Sequence, residues 1–337
     1  MNYSGIDLHS TNNVTVVSDE ADRVLCRQRL PNELDAVLAT LEPYRAQLAG
    51  VVVESTYNWY WLVDGLQAAG YQVHLANTAG IKQYEGLKHS GDDTDAAYLA
   101  QLLRLGILRT GYICPPRERA LRDLARKRLQ LSRRRTAHIL AFENIVVRQT
   151  GRRITSAVVK RLNTEALQQF GQLEDVTLAM ASDVAVIHTL NAQIDKLEAR
   201  LLKRVKPREE FALLTTAPGI GKVLATTIML ETGTVERFAA VGNFASYSRC
   251  VDSKRLSNGK KKGEGNVKNG NRYLAWAFIE AANFARRFCP EAKRFYERKK
   301  ARTNSIVATK ALAHKLARAA YHMLKDRQPF DVKRCFA

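Results

Sequence analysis

The first 108 residues constrain the fold more tightly than any other part of the chain. Tyr3–Ile6 is a short strand-like run that ends in Asp7. Val14–Ser18 alternates, Asp19-Glu20-Ala21-Asp22 reads as a turn, and Val24–Gln28 returns as a third strand. Glu33–Leu48 has helical spacing. Val51–Glu54 is β-branched, as suits a buried strand, and it too ends in a carboxylate. Tyr57–Ala69 is an aromatic-rich helix, Tyr71–Ala76 a fifth strand and Asp92–Leu105 a further helix. The pattern predicts a three-strand meander followed by βα units.

The placing of the acids then points to a cation. A buried strand gains no stability by ending in a carboxylate, yet Asp7 and Glu54 both stand at strand ends. Asp92 and Asp95 are three apart and share one helix face, while Asp93 points off it and reads as a helix-start charge. Taken singly, each is an ordinary turn or capping residue. Gathered together, they repel one another unless a cation sits between them. The sequence therefore predicts a Mg²⁺ site built from Asp7, Glu54, Asp92 and Asp95. A meander, βα units and acids in these places form the ribonuclease H arrangement. Residues 1–108 are read as an α/β domain of the RuvC/ribonuclease H type.

Charge separates this domain from the rest. The chain has 337 residues and a formal net charge of +20. Residues 1–108 hold 7 Lys+Arg against 13 Asp+Glu, and residues 109–337 hold 46 against 20. An acidic module joined to a strongly basic remainder predicts a polyanionic partner, nucleic acid first. Five cysteines without Cys-x-x-Cys spacing argue against a zinc site or a disulfide framework and fit a reducing cytoplasm. No signal segment and no apolar run of membrane-spanning length is present, so no membrane partner is expected.

Pro115-Pro116 marks a boundary, and residues 109–207 read as a basic helical, coiled-coil region. Arg119, Arg122, Arg126 and Arg133 fall on one face of a helix running to about Arg148. With little compensating acid nearby, they are candidate nucleic-acid contacts. From Leu178 to Val205, Met180, Ile187, Ile194 and Leu201 repeat every seven residues, with Leu190 and Leu197 between them. That seam can close within one chain or against a second copy.

Residues 208–337 read as mostly α. Pro218-Gly219-Ile220-Gly221-Lys222 resembles a helix-hairpin-helix turn, in which Gly219 and Gly221 let the backbone approach a phosphate and Lys222 adds charge. The spacing is not that of a P-loop. The stretch Ser253–Arg272 is rich in Lys, Gly and Asn, and its Lys260, Lys261, Lys262, Lys268 and Arg272 are further nucleic-acid candidates. A basic helix follows from about Ile306 to Lys325.

As a set, Gly5-Ile6-Asp7, Val53-Glu54, Asp92-Asp93-Thr94-Asp95-Ala96, Pro218-Gly219-Ile220-Gly221 and the loop around Ser257 resemble one group of bacterial insertion-sequence transposases. These pair an N-terminal RuvC-like DEDD domain with a C-terminal serine transposase domain and are also called bridge-RNA-guided recombinases. The resemblance covers nearly the whole chain. It implies a metal site at the four acids and a nucleophilic serine that links covalently to a DNA strand end. Counting on from Phe244-Ala245-Ser246-Tyr247, that serine is Ser257. In the family a glycine often follows it directly, whereas here Asn258 intervenes before Gly259, and Ser253 is a rival. The resemblance further implies double-stranded DNA, a structured guide RNA and a homo-oligomer, a dimer or a tetramer on DNA, as partners.

A serine hydroxyl needs activation at neutral pH, and no histidine lies within twenty positions of Ser257. Activation must come from elsewhere in space. Two other readings compete. A hydrolytic RuvC-like nuclease or junction resolvase needs the four acids and no serine. A sugar-kinase-like or chaperone-like ATPase, which also begins Gly-Ile-Asp, needs glycine-rich phosphate turns that His9-Ser10-Thr11 does not supply. Retention of all four acids speaks against a non-catalytic binder.

Overall fold

β1 (Asn2–Leu8) is the axis of a five-stranded sheet with β2 (Asn12–Ser18), β3 (Val24–Pro31), β4 (Leu48–Glu54) and β5 (Val73–Ala76). The strand order is β3-β2-β1-β4-β5. β1 to β3 pair antiparallel, and β4 and β5 run parallel to β1, the meander-plus-βα pattern expected from the spacing. The computed structural model describes residues 1–77, 81, 91–171, 173–251, 255–263 and 269–337. It divides into two units, Met1–Pro116 and Arg117–Ala337.

In the first unit, one sheet face packs Ile6, Leu8, Val51 and Val53 under α1 (Leu34–Leu41) and α2 (Tyr60–Ala68). The predicted helix Glu33–Leu48 stops early, at Leu41. Pro43 offers no backbone N–H to continue the α ladder, and Glu42–Gln47 tightens into a 3₁₀ turn. The other face carries α3 (Asp92–Arg104), with Val14, Val16 and Val52 against Ala96 and Leu99. Beyond residue 108 the chain still belongs to this sheet. Asn77 N–H donates to the Arg109 carbonyl at 2.8 Å, and Gly111 N–H donates to Leu75 at 2.7 Å.

Two ion pairs strap α3 to the meander. At its start Arg29 of β3 reaches Asp92 at 2.6 Å. At its end Arg104 donates twice to Asp22, at 2.7 and 2.5 Å. The predicted turn is itself held by Asp19, which accepts from the N–H groups of Ala21 and Arg23.

The second unit is almost wholly helical. Two long helices, α4 (Pro116–Thr150) and α6 (Glu174–Val205), flank the short α5 (Ser156–Val159). Met180 and Ile187 of the heptad pack against Ile139, Phe142 and Val146 of α4, and Leu201 joins Leu121 in the following core. These seam positions are thus covered by the chain's own α4. Next come α7 (Glu209–Thr215), α8 (Lys222–Thr232) and α9 (Val241–Tyr247), then a hairpin of β6 (Arg255–Ser257) and β7 (Lys260–Gly263). The chain ends in α10 (Arg272–Phe288), α11 (Pro290–Arg302), α12 (Ser305–Asp326) and α13 (Val332–Phe336). Phe244, Phe278, Leu312 and Leu316 lie fully buried in their shared core. Among the described residues no helix is long and apolar enough to cross a membrane.

Candidate functional site

Alternation along the strands decides which side chains meet. Side chains two apart on a strand share a face. Ile6 and Leu8 face α1 and α2, so Gly5 and Asp7 face α3; Glu54 likewise shares the α3 face with Val52. Gly5 makes the approach possible. A Cβ there would run into the Ala96 carbonyl oxygen and come within 2.9 Å of the Ala100 nitrogen. The missing side chain lets the α3 backbone settle directly on β1, which brings Asp92 and Asp95 down to Asp7. Thr94 secures the helix start by accepting the Gly91 N–H at 2.8 Å. The Asp93 side chain lies outside the described residues.

Sequence reasoning missed two members of this cluster. The Nε2 of His9 lies 3.2 Å from an Oδ of Asp7 and 3.2 Å from an Oδ of Asp92. Asp7, His9 and Asp92 can each point a ligand atom to within 4.8 Å of the others. The signal was Asp7-x-His9, a spacing that puts both side chains on one face. The His9 backbone is pinned, because its carbonyl accepts from Asn32 at 3.0 Å and from Asn58 at 2.9 Å. Arg29 is the second omission. In register, Asp7 opposes Val14 and Val14 opposes Arg29, so one row across the sheet carries both.

The electrostatics are those of crowded carboxylates. Burial first, then the hydrogen bond and charge of Asp7 and the charge of Asp95, push Glu54 up to about 8. Asp95 is raised by burial and by the charges of Asp7 and Asp92. Arg29's hydrogen bond holds Asp92 below the usual carboxylate range. Asp7 and Asp92, with His9, lie close enough to share a cation, and Glu54 and Asp95 crowd Asp7 from beside it; a divalent cation's charge would remove that repulsion.

In the second unit the hairpin presents Ser257. Asn258 and Gly259 both have positive φ, 49° and 70°, as a two-residue type I′ turn requires. The Asn-Gly pair was a hairpin signal that the loop reading of Ser253–Arg272 passed over. It accounts for the asparagine that parts Ser257 from Gly259: the serine is the last residue of β6, exposed and in register with Lys260. Lys262 is exposed on β7, and Lys261 stands in register with Leu256. Arg272 starts α10 and lies over its neighbour Tyr273, 5.0 Å from the ring. Ser253 and Lys268 lie outside the described residues.

Two groups of expected nucleic-acid contacts have partners within the protein. Arg119 is only 3% exposed, and the Arg122 side chain 14%. Arg126 donates to both oxygens of buried Glu231, at 2.6 and 2.7 Å, and lies over the Tyr273 ring at 4.6 Å. Of the four arginines on that face of α4, Arg133 alone is exposed. Helical spacing could not tell an outward arginine from one aimed at a buried acid; the signal was Glu231 itself, alone in the apolar run of α8. Glu231 also accepts from Asn271 at 2.7 Å, and Asn271 caps α10 by accepting the N–H groups of Tyr273 and Leu274. Glu231→Leu strands both Arg126 and Asn271. It is expected to cost about 3 kcal/mol, partly recovered in Arg126→Leu/Glu231→Leu, as read by denaturant unfolding. The second is Gly219. A Cβ there would meet the Ala281 carbonyl oxygen and the Ala285 nitrogen of α10, the latter at 2.6 Å. Helix packing by itself requires this glycine. Gly221 and Lys222 stay exposed at the start of α8.

Acids gathered on a sheet and a strongly basic helical unit are what an enzyme acting on nucleic-acid strands requires. Comparison with known proteins narrows the class. Residues 4–150 match a family described as "Transposase", of the IS110 DEDD type, and residues 211–297 match "Transposase IS116/IS110/IS902 family". A Pseudomonas aeruginosa protein named "Probable family 20 transposase" is 24% identical over 96% of this chain and 97% of its own length. A Streptomyces coelicolor protein, "Insertion element IS110 uncharacterized 43.6 kDa protein", is 26% identical over 46% of this chain and 38% of its own. The chain belongs to the IS110 family of transposases, enzymes of mobile-element DNA recombination. Its DEDD-type domain goes with the use of a divalent metal.

Proposed function

We propose that the chain cuts and rejoins mobile-element DNA through a covalent ester between Ser257 and a strand end, with Mg²⁺ at Asp7, Glu54, Asp92 and Asp95. The observation that carries this reading is the placing of Ser257. It stands exposed at the lip of a tight hairpin in register with Lys260, with exposed Lys262 two residues further along β7. The Ser257 hydroxyl attacks a backbone phosphorus, a phosphorus–oxygen bond to the leaving strand breaks, and that strand departs as a free hydroxyl after taking up a proton. The ester conserves the bond energy, and a second strand's hydroxyl can reverse the step. The lysines hold the phosphate and offset its growing charge. Bound Mg²⁺ would supply charge neutralisation and a lowered pKa for a coordinated oxygen. Asp7, Glu54, Asp92 and Asp95 would be its ligands, with His9 and Arg29 balancing the acids around it.

The α/β unit is read as RuvC-like and the α7–α8 turn as a helix-hairpin-helix variant, with Gly221 and Lys222 at its open side. A structured guide RNA and a dimer or tetramer on DNA belong to the same reading. The excess of cations after residue 108 supports a polyanion, and the resemblance supports RNA. Met180, Ile187 and Leu201 of the heptad are taken up within the chain, which directs assembly toward other surfaces.

Incubation with DNA carrying the element ends is expected to yield a protein–DNA adduct that survives a denaturing gel and maps by mass spectrometry to the Ser257 peptide. Ser257→Ala should lose adduct and recombination while keeping DNA affinity within about twofold, because phosphate charge dominates such binding. An adduct on Ser253 would correct the residue and leave the chemistry standing. Efficient cutting without adduct, equal in Ser257→Ala, would leave a hydrolytic RuvC-like nuclease, for which the acids of the first unit suffice.

A further inference from the structure

α12 carries His314, Arg318 and His322 at intervals of four residues, so the three form one stripe along the helix. The stripe lines a cleft of about 570 Å³ whose other walls are α11, through Phe295 and Lys299, and the segment from Gln328 to Cys335. The walls are fastened together. The Lys315 ammonium donates to the Cys335 carbonyl at 2.5 Å and lies 5.3 Å from the Phe295 ring and 5.7 Å from the Phe336 ring. Asp331 caps α13 by accepting the Arg334 N–H at 3.1 Å.

The charges inside do not balance. Asp326 takes the Arg334 guanidinium at 3.4 Å and the His322 ring at 3.8 Å. Lys315 is spent on the wall. Arg318 and Lys299 have no acidic partner among the described residues. His314 is held below its ordinary pKa by burial and then by the charge of Arg318. Such a cleft is short of negative charge. An anion would satisfy Arg318 and make a protonated His314 acceptable.

We propose that this cleft holds a backbone phosphate of a nucleic-acid strand, with Arg318 as its main contact and Lys299 and His314 beside it. Two observations favour a strand over a free phosphate ion. The cleft has the size of sites that take nucleotide-sized ligands, well beyond one phosphate. Further exposed cations, Arg298 and Arg302, stand near Lys299 on α11, whereas Arg294 and Lys300 there are paired with Glu291 and Glu297; a small anion would not use such neighbours. The site lies outside the acid cluster and the Ser257 hairpin. It requires only that this protein handle nucleic acid, so a failure of the Ser257 reading would leave it untouched.

The test uses the full-length protein, a labelled DNA duplex and a labelled RNA of equal length, with anisotropy followed over about 50 to 200 mM salt. Arg318→Glu is compared with Lys293→Glu, the same charge change at an exposed α11 position that does not line the cleft. Arg318 is exposed, so both variants should fold, which circular dichroism checks. Arg318→Gln serves as a milder second variant. Arg318→Glu is expected to weaken binding of at least one nucleic acid about tenfold and to lower the salt slope by about one, whereas Lys293→Glu costs about twofold or less. Equal losses from the two reversals would overturn the proposal. So would inorganic phosphate that shifts the His314 ring resonances at constant ionic strength while Arg318→Glu leaves both affinities unchanged, the mark of a small-anion site.

Discussion

Asp7→Asn is expected to reduce DNA cleavage by roughly a thousandfold or more while leaving the fold intact, the equivalent of about 4 kcal/mol of transition-state stabilisation. Asp7 is 5% exposed and faces His9, Glu54 and Asp92. The amide keeps its shape and removes the charge that draws in a cation. The same crowding sets the pH dependence. Glu54, raised to about 8 from 4.5, still carries its proton at neutral pH when no metal is bound. A cation held at this cluster would displace that proton, so divalent-ion affinity should climb with pH toward about 8 and then level off. Metal-free stability runs the other way. Between the unfolded value near 4.5 and the folded value near 8, the native state binds more protons than the unfolded chain, and this contribution declines as pH rises. Calorimetry in two buffers of different ionisation enthalpy measures the released proton. Full cleavage by Asp7→Asn, or in excess chelator, would remove the metal from the account.

Gly5→Ala should be nearly as damaging, although it adds one methyl group and touches no charge. The new Cβ has no flexible neighbour to push aside, only the α3 backbone at Ala96 and Ala100. The helix must lift, at about 3 kcal/mol or more, and Asp92 and Asp95 lift with it. Denaturant unfolding gives the stability loss. Metal affinity gives the displacement, which should exceed what reduced folding alone predicts. Unchanged stability and activity would show that α3 does not need this close approach.

The first domain was legible because its strands carry their own punctuation: turns of Asp and Gly, a β-branched central run, and acids where strands end. The Asp92/Asp95 face followed from helical spacing alone. His9 and Arg29 were not seen because their roles depend on which row of the sheet faces which, knowledge that needs the register Asp7–Val14–Arg29. The premature end of α1 was written in Pro43 and the hairpin in Asn258-Gly259, so those were signals available and unused. The arginine face of α4 was a different case. Arg119, Arg122 and Arg126 have the same periodicity whether they face water or a buried acid, and only the tertiary position of Glu231 decides. Gly219 shows a similar limit: a glycine needed against a helix backbone reads like one needed against a phosphate.

The two straps on α3 have a consequence in time. During synthesis Asp7 and Glu54 leave the ribosome well before Asp92 and Asp95, which arrive on the last helix of the first unit. Until that helix docks, with Arg29 closing on Asp92 and Arg104 on Asp22, the sheet holds only half of its acids. Domains fold as units once their last element is available. On the proposed metal reading, a newly made or truncated chain would therefore lack two of the cation's four carboxylates until that helix docks.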